Sequence, residues 1–210
     1  MPDSMSFLGF IAAALVLLLT PGPGVMYIVA RSIGQGSRAG LVSVVGLATG
    51  ALVHVVAAAA GISTILLASA TAFGVIKGAG AAYLIYLGVR TLVARGASTV
   101  TETCAPRSSH RLFADGVLVS VLNPKIALFF LAFLPQFVDP GRGPVAQQIL
   151  LLGLLYVALA LVTDSSYALL AGSLRHRLPD RALQGPLPRY ISGSVYLGLG
   201  VTTVLTGRKL

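Results

Sequence analysis

An apolar run long enough to cross a bilayer carries two prolines and two glycines at its middle, in the stretch LLLTPGPGVMYIV (Leu17 to Val29). Inside hydrocarbon no water is available, so every backbone N–H and C=O must find a partner within the protein. Proline removes an N–H and clashes with the carbonyl four residues back. The chain has to supply other donors to the freed carbonyls where repair is hardest, or leave them facing a cavity.

The surrounding sequence supports a membrane setting. Hydrophobic residues make up 56% and charged residues 10%, against about 25% charged in a soluble domain. Mean hydropathy is +0.89. A spanning helix needs about 20 mostly apolar residues. Six windows qualify: Phe7–Ala30, Leu41–Ala68, Ala72–Val93, Leu112–Val138, Ala146–Leu174 and Tyr190–Thr206. The predicted fold class is an all-α membrane protein with six transmembrane helices. The N-terminal MPDSMS has no Lys or Arg before its apolar run. A cleaved signal peptide needs a basic leader, so the first run is read as a retained span.

The net charge of +9 belongs to loops. The basic residues are dispersed between apolar runs and form no stripe, which argues against nucleic acid. Loops after spans one, three and five hold ten Lys and Arg, from Arg31 to Arg189, and the opposite side holds four. Positive residues collect on the cytoplasmic side, so both termini are expected outside a bacterial inner (plasma) membrane. A single cysteine, Cys104, excludes an internal disulfide framework and a multi-cysteine metal site.

The breaks recur. Span four is interrupted at Asn123–Pro124 as span one is at Pro21–Gly22–Pro23, and a phenylalanine stands eleven residues before Pro21 and before Pro124. GAAYL (Gly80 to Leu84) in span three matches GSVYL (Gly193 to Leu197) in span six. The chain reads as a first three-helix repeat over 1–95, a cytoplasmic linker over 96–111 and a second repeat over 112–210. Three spans per half is an odd number, so the halves insert with opposite topology. Inverted repeats with interrupted helices in matching places are the pattern of secondary transporters, whose sites lie near the midplane between the breaks.

These residues resemble the lysine exporter (LysE) superfamily, and within it the RhtB-type amino-acid exporters. The likeness rests on TPGPGVMYIVARSIGQGSRAG (Thr20 to Gly40), GLATGALVHVVAAAAGIS (Gly46 to Ser63), GAAYLIYLG (Gly80 to Gly88), FADGVLVSVLNPKIALFFLAFLPQFV (Phe113 to Val138) and the late helix RYISGSVYLGLG. It implies export of amino acids or close derivatives of homoserine, threonine or lysine type, driven by the proton gradient. Many relatives carry Asn where this chain has Gly24, which bears on substrate choice.

Lys125 lies about thirteen residues into span four, roughly 20 Å along a helix, too deep to snorkel out. A charge there needs a partner or water. It suits a substrate carboxylate, or a structural ion pair. Asp164, deep in span five, is the obvious partner. Burial and a neighbouring ammonium act oppositely on a carboxyl group, and a carboxylate poised between them is a proton carrier by type. It can also grip a substrate ammonium or simply balance Lys125. His54, in mid-span two, titrates near neutrality when unperturbed; it is either a second proton-coupling candidate or a hydrogen-bonded core residue. Asp115 is expected to pair locally with Arg111. Gly46 and Gly50, like Gly74 and Gly78, form small-residue faces for close helix packing, whereas Gly36 and Gly40 are assigned to a turn.

The resulting expectation is a proton-antiporting exporter working by alternating access. Pro21, Gly22, Pro23, Gly24, Asn123, Pro124 and Lys125 bind substrate, while Asp164 and His54 are the proton-coupling candidates. The partners are a small amino-acid substrate, protons and the lipid bilayer, with no nucleic acid; a homodimer is compatible with these spans. No cofactor, metal or catalytic residue is implied. The alternative is a divalent-cation exporter of the same superfamily, although hard cations prefer several carboxylate oxygens and Lys125 would repel them. An intramembrane enzyme built from Ser120, Lys125, His54 and Asp164 lacks a nucleophile motif. The topology predicts that Cys104 is shielded from an impermeant thiol reagent in intact cells, while a cysteine placed at position 142 is labelled. The reverse pattern would invert the orientation.

Overall fold

A computed structural model describes residues 4–68 and 107–174, together with five single helical positions between residues 82 and 93 and Val201. Apart from short breaks and turns the described residues are helical, with no strand among them. Helix α1 (Ser4–Leu19) and α2 (Pro23–Gln35) flank the first break and meet at a bend of 50°. Helix α3 runs from Ser37 to Ala68. Helix α4 (Ser109–Val121) meets α5 (Pro124–Leu128) at the second break. A π-helical turn (Phe129–Phe133) and a 3-10 turn (Leu134–Phe137) extend α5, and this segment is bent 45° from α4. A further 3-10 turn (Pro140–Arg142) leads into α6 (Val145–Ser173).

Two of these helices, α3 and α6, are long and apolar enough to cross a membrane, and four spans result if each bent pair is one. Those four coincide with the first, second, fourth and fifth predicted windows. Apart from those six single positions, the third and sixth windows, with the GAAYL and GSVYL pair, lie outside the described residues, as do Lys77, Gly74, Gly78 and Cys104.

The first loop is shorter than expected. Residues Arg31 to Gln35 contain no proline, and α2 continues through them. Only Gly36 breaks the chain: its φ of 92° suits glycine, and its N–H caps α2 by donating to the Ser32 carbonyl. Gly40, assigned to this turn from sequence, is instead inside α3, where a Cβ would collide with the Ser32 hydroxyl. Its role is close packing.

Helix α3 is central, packing on α2, α4 and α6. Its glycines set the approach to α4: a Cβ at Gly46 would collide with the Phe113 carbonyl, and one at Gly50 would lie 2.6 Å from the Val117 carbonyl oxygen. Gly116 returns the contact, with Ser43 O only 2.7 Å from where its Cβ would be. This is the small-residue packing predicted for Gly46 and Gly50. Helix α6 is apolar on all sides, as befits a helix in lipid; it buries Ile149, Leu152, Tyr156 and Ala160 on one face and exposes Leu154, Val162 and Leu170 on another.

The main core joins α1, α6 and the π-helical turn through an aromatic cluster. Phe129 is in contact with Tyr156 at 4.9 Å between ring centroids and with Phe10 at 5.8 Å, and Phe10 meets Phe137 edge-on. At the other end, Gln35 exchanges two hydrogen bonds with the backbone of Arg107. Arg107 also pairs with Asp115. That corrects the expected Arg111 partner: the side chain of Arg107, just ahead of the Ser108 cap, reaches Asp115 in place of the residue one turn away. Gly116→Val is expected to lower detergent-solubilised stability by about 1–3 kcal/mol through overpacking, read as a drop in melting temperature. Gly61→Ala, whose Cβ meets no described neighbour, should leave it unchanged.

Candidate functional site

The two breaks can be followed carbonyl by carbonyl. Pro21 withholds the N–H that would reach Leu17, and the Thr20 N–H takes the Leu17 carbonyl instead at 3.2 Å. That shift would strand Val16 O, which accepts from the Thr20 hydroxyl at 2.6 Å. Pro23 withholds the N–H that would reach Leu19, and the Tyr167 hydroxyl of α6 donates to Leu19 O at 2.9 Å. Thr20 O has lost its place in the helical ladder. The Lys125 ammonium donates to it at 2.8 Å, with Thr20 3% and Lys125 5% exposed.

The second break follows the same logic. Pro124 frees Ser120 O, which accepts from the Asn123 N–H at 3.1 Å and lies 3.2 Å from His54 Nε2 of α3. A carbonyl only accepts, so Nε2 carries the proton in this contact. The carbonyl four residues before Pro23 is thus met from α6 and the one four residues before Pro124 from α3. Asn123 caps α5, its Oδ1 accepting from the Lys125 N–H at 3.0 Å. Gly22 occupies the matching cap position of α2 and has no side chain to offer, so no side chain caps the first turn of α2.

Between the breaks lies a cavity of about 40 Å³ lined by Gly22 and Gly24 from one break, Asn123 and Lys125 from the other, and Asp164 from α6, with Leu47 and Tyr156 among its apolar walls. At roughly 10–15 Å³ per water it has room for a few waters, less than an amino acid requires. Lys125 and Asp164 act on each other's charge across it without meeting as an ion pair. Asp164 accepts no hydrogen bond among the described residues. Its Tyr167 neighbour, three residues on, is the one bound to Leu19 O.

Of the residues singled out from sequence, the structure gathers Gly22, Gly24, Asn123, Lys125 and Asp164 around this cavity. Pro21, Pro23 and Pro124 shape the breaks without lining it. His54 stands apart, stacked on Phe130 and turned to Ser120 O. Sequence reading missed Tyr167 and Thr20. The freed carbonyls of Leu19 and Ser120 follow from proline positions alone; which distant side chain reaches them does not.

Residues 15–207 match the family described as LysE type translocator. A membrane protein of Vibrio cholerae, described as uncharacterized, is 32% identical over 95% of this chain and 96% of its own length. A homoserine/homoserine lactone efflux protein of Salmonella typhimurium is 36% identical over 77% of this chain and 78% of its own. A leucine efflux protein of the same species is 30% identical over 64% of each. No solved structure matches the chain with significance.

Removing a donor from either break should be costly, because the carbonyl it leaves has no water to turn to. Tyr167→Phe and His54→Leu are each expected to destabilise the detergent-solubilised protein by about 1–3 kcal/mol, measured by thermal unfolding. Wild-type melting in both would mean the breaks are repaired by other groups. The match over nearly the whole chain, on an all-helical fold with two proline-broken helices around a buried Lys–Asp cavity, places this protein in the LysE family of translocators, which are transport proteins and not enzymes.

Proposed function

We propose that the protein exports amino acids or close derivatives across the bacterial inner membrane by proton antiport, with alternating access to the cavity between the two breaks. The carrying observation is the cavity's chemistry: one buried ammonium and one carboxylate beside a helix start that no side chain caps, enclosed by apolar walls. An α-amino acid presents the complement, a carboxylate for Lys125 and an ammonium for Asp164. Relatives named for homoserine and leucine efflux support this class.

In this reading the fold is two inverted three-helix repeats, with both termini outside. The matched bends of 50° and 45° support it, as does the exchange of donors, α6 serving the first break and α3 the second. Both broken helices then hinge at Thr20–Gly22 and Leu122–Asn123, widening the cavity to admit substrate. His54 braces the Ser120 carbonyl, which leaves Asp164 as the group that takes up a proton from outside and releases it inside. The divalent-cation alternative is disfavoured, since a hard cation seeks several carboxylates and this cavity sets one beside an ammonium.

The two charges separate in the expected phenotypes. Lys125→Met keeps the stem, removes the ammonium and should abolish both gradient-driven export and substrate exchange. Asp164→Asn should lose gradient-driven transport while keeping slow counterflow, because exchange needs binding and reorientation without net proton movement. The measurement is uptake into proteoliposomes with and without a pH gradient, alongside counterflow of a labelled amino acid. Normal gradient-driven uptake by Asp164→Asn would remove it from coupling; normal transport by Lys125→Met would move the site elsewhere.

A further inference from the structure

Helix α2 follows the first break and α4 precedes the second, so both lie on one side of the breaks, cytoplasmic in the topology proposed above. Polar bonds tie them together. The Tyr27 hydroxyl donates to Leu112 O at 3.0 Å. Gln35 Nε2 donates to Arg107 O at 3.0 Å, and the Arg107 N–H donates to Gln35 Oε1 at 3.1 Å. Arg107 also bonds Asp115, and these two side chains are 37% and 33% exposed. The Arg31 guanidinium covers the Tyr27 ring at 5.4 Å from its centroid. Tyr27, Gln35, Arg107 and Asp115 are all half-buried, so water can take over their bonds when the helices part.

Little apolar material backs this tie. Tyr27 packs against a small buried cluster of Ile28, Val44, Leu47 and Ala168, and Leu47 also lines the cavity. The other side of the breaks is closed differently. Phe10 of α1 meets Phe137 at 5.5 Å between centroids, and Phe129 lies on Phe133 at 5.5 Å. These rings belong to the main core, which reaches the cavity at Leu18, Ile126 and Tyr156. Exposing apolar surface costs in proportion to its area, whereas a hydrogen bond exchanged for one to water costs little net. The side tied by α2 and α4 is therefore the cheaper one to open. Ser32, one turn before the end of α2, points the same way. It is 0% exposed and lies against Gly40 of α3, and its hydroxyl has no hydrogen-bond partner among the described residues. An unsatisfied buried hydroxyl is unfavourable, and swinging the end of α2 outward lets water meet it.

Building on the exporter reading, we propose that Tyr27, Gln35, Arg107 and Asp115 form a latch on the cytoplasmic side of the cavity. Its release lets α2 and α4 swing apart about the two breaks and opens the cavity to the cytoplasm, while the aromatic core keeps the outer side shut. An exporter loads from inside, and the weaker seal is on that side.

The test places one reporter cysteine, Ala48→Cys, on the cavity wall of the full-length protein carrying Cys104→Ser. An impermeant thiol reagent is applied to right-side-out and to inverted membrane vesicles. Gln35→Ala combined with Asp115→Asn removes the side-chain bonds of the latch. It should speed labelling of position 48 from the cytoplasmic face by about tenfold and leave labelling from the outer face unchanged. Tyr27→Phe, which deletes one bond, should act in the same direction by a smaller factor, and it carries the test if the double variant does not fold. Unchanged cytoplasmic labelling in every variant that folds, or faster labelling from the outer face, overturns the latch. That assay needs no substrate, so such a result leaves the exporter reading standing. Absence of counterflow for labelled amino acids with the wild-type protein in proteoliposomes overturns the exporter reading, and with it the latch as a loading gate.

Discussion

Everything in this structure turns on the Thr20 carbonyl and the lysine that holds it. Helix α1 must end where Pro21 and Pro23 withdraw two donors, and Thr20 O is left pointing into the protein interior. Only a strong donor from outside the helix makes that tolerable. Lys125 supplies one from the opposite break, and in doing so solves its own problem, because an ammonium at that depth also needs a polar neighbour. Two features that would each be costly alone, a freed carbonyl and a buried cation, are stable as a pair. The pairing holds the two interrupted helices side by side, and the cavity is the space they leave.

The bond is also incomplete in a useful way. An ammonium has three donors, and the structure shows one of them engaged by backbone. Asp164 is near enough to act on Lys125 but is not bound to it. Direct contact would give a closed ion pair, and opening it would cost desolvated charge on both sides. Held apart, each group keeps capacity for a ligand. Under the proposed export function, the carboxylate and ammonium of an amino acid would enter between them without first breaking a salt bridge.

Sequence alone made the breaks legible, because proline's effect on a helix is local and does not depend on the fold. The two long apolar helices and the two bent pairs, the glycine face at Gly46 and Gly50, and the burial of Lys125 were readable for the same reason: each follows from periodicity or from position within one apolar run. What could not be read were the partners at a distance. Tyr167 is an ordinary aromatic in an apolar helix until Leu19 O is placed beneath it. His54 looked like a candidate for proton chemistry because an imidazole in a membrane helix demands a reason, and the structure supplies a backbone one. Asp115 was matched to Arg111 by helical spacing, but the segment before α4 brings Arg107 across instead.

The exchange of donors between distant segments bears on how such a chain enters a membrane. The carbonyls at the first break appear as soon as residues 17–23 are inserted, yet the groups that bond them belong to Lys125 and Tyr167, more than a hundred residues later. Until translation has delivered α5 and α6, the nascent first half carries unpaired backbone that lipid cannot solvate. It must wait beside a polar surface, whether a water-lined insertion channel or an attendant chaperone. Biogenesis is therefore tied to synthesis of nearly the whole protein. A truncated first half would be expected to stall or be degraded rather than settle as an independent unit.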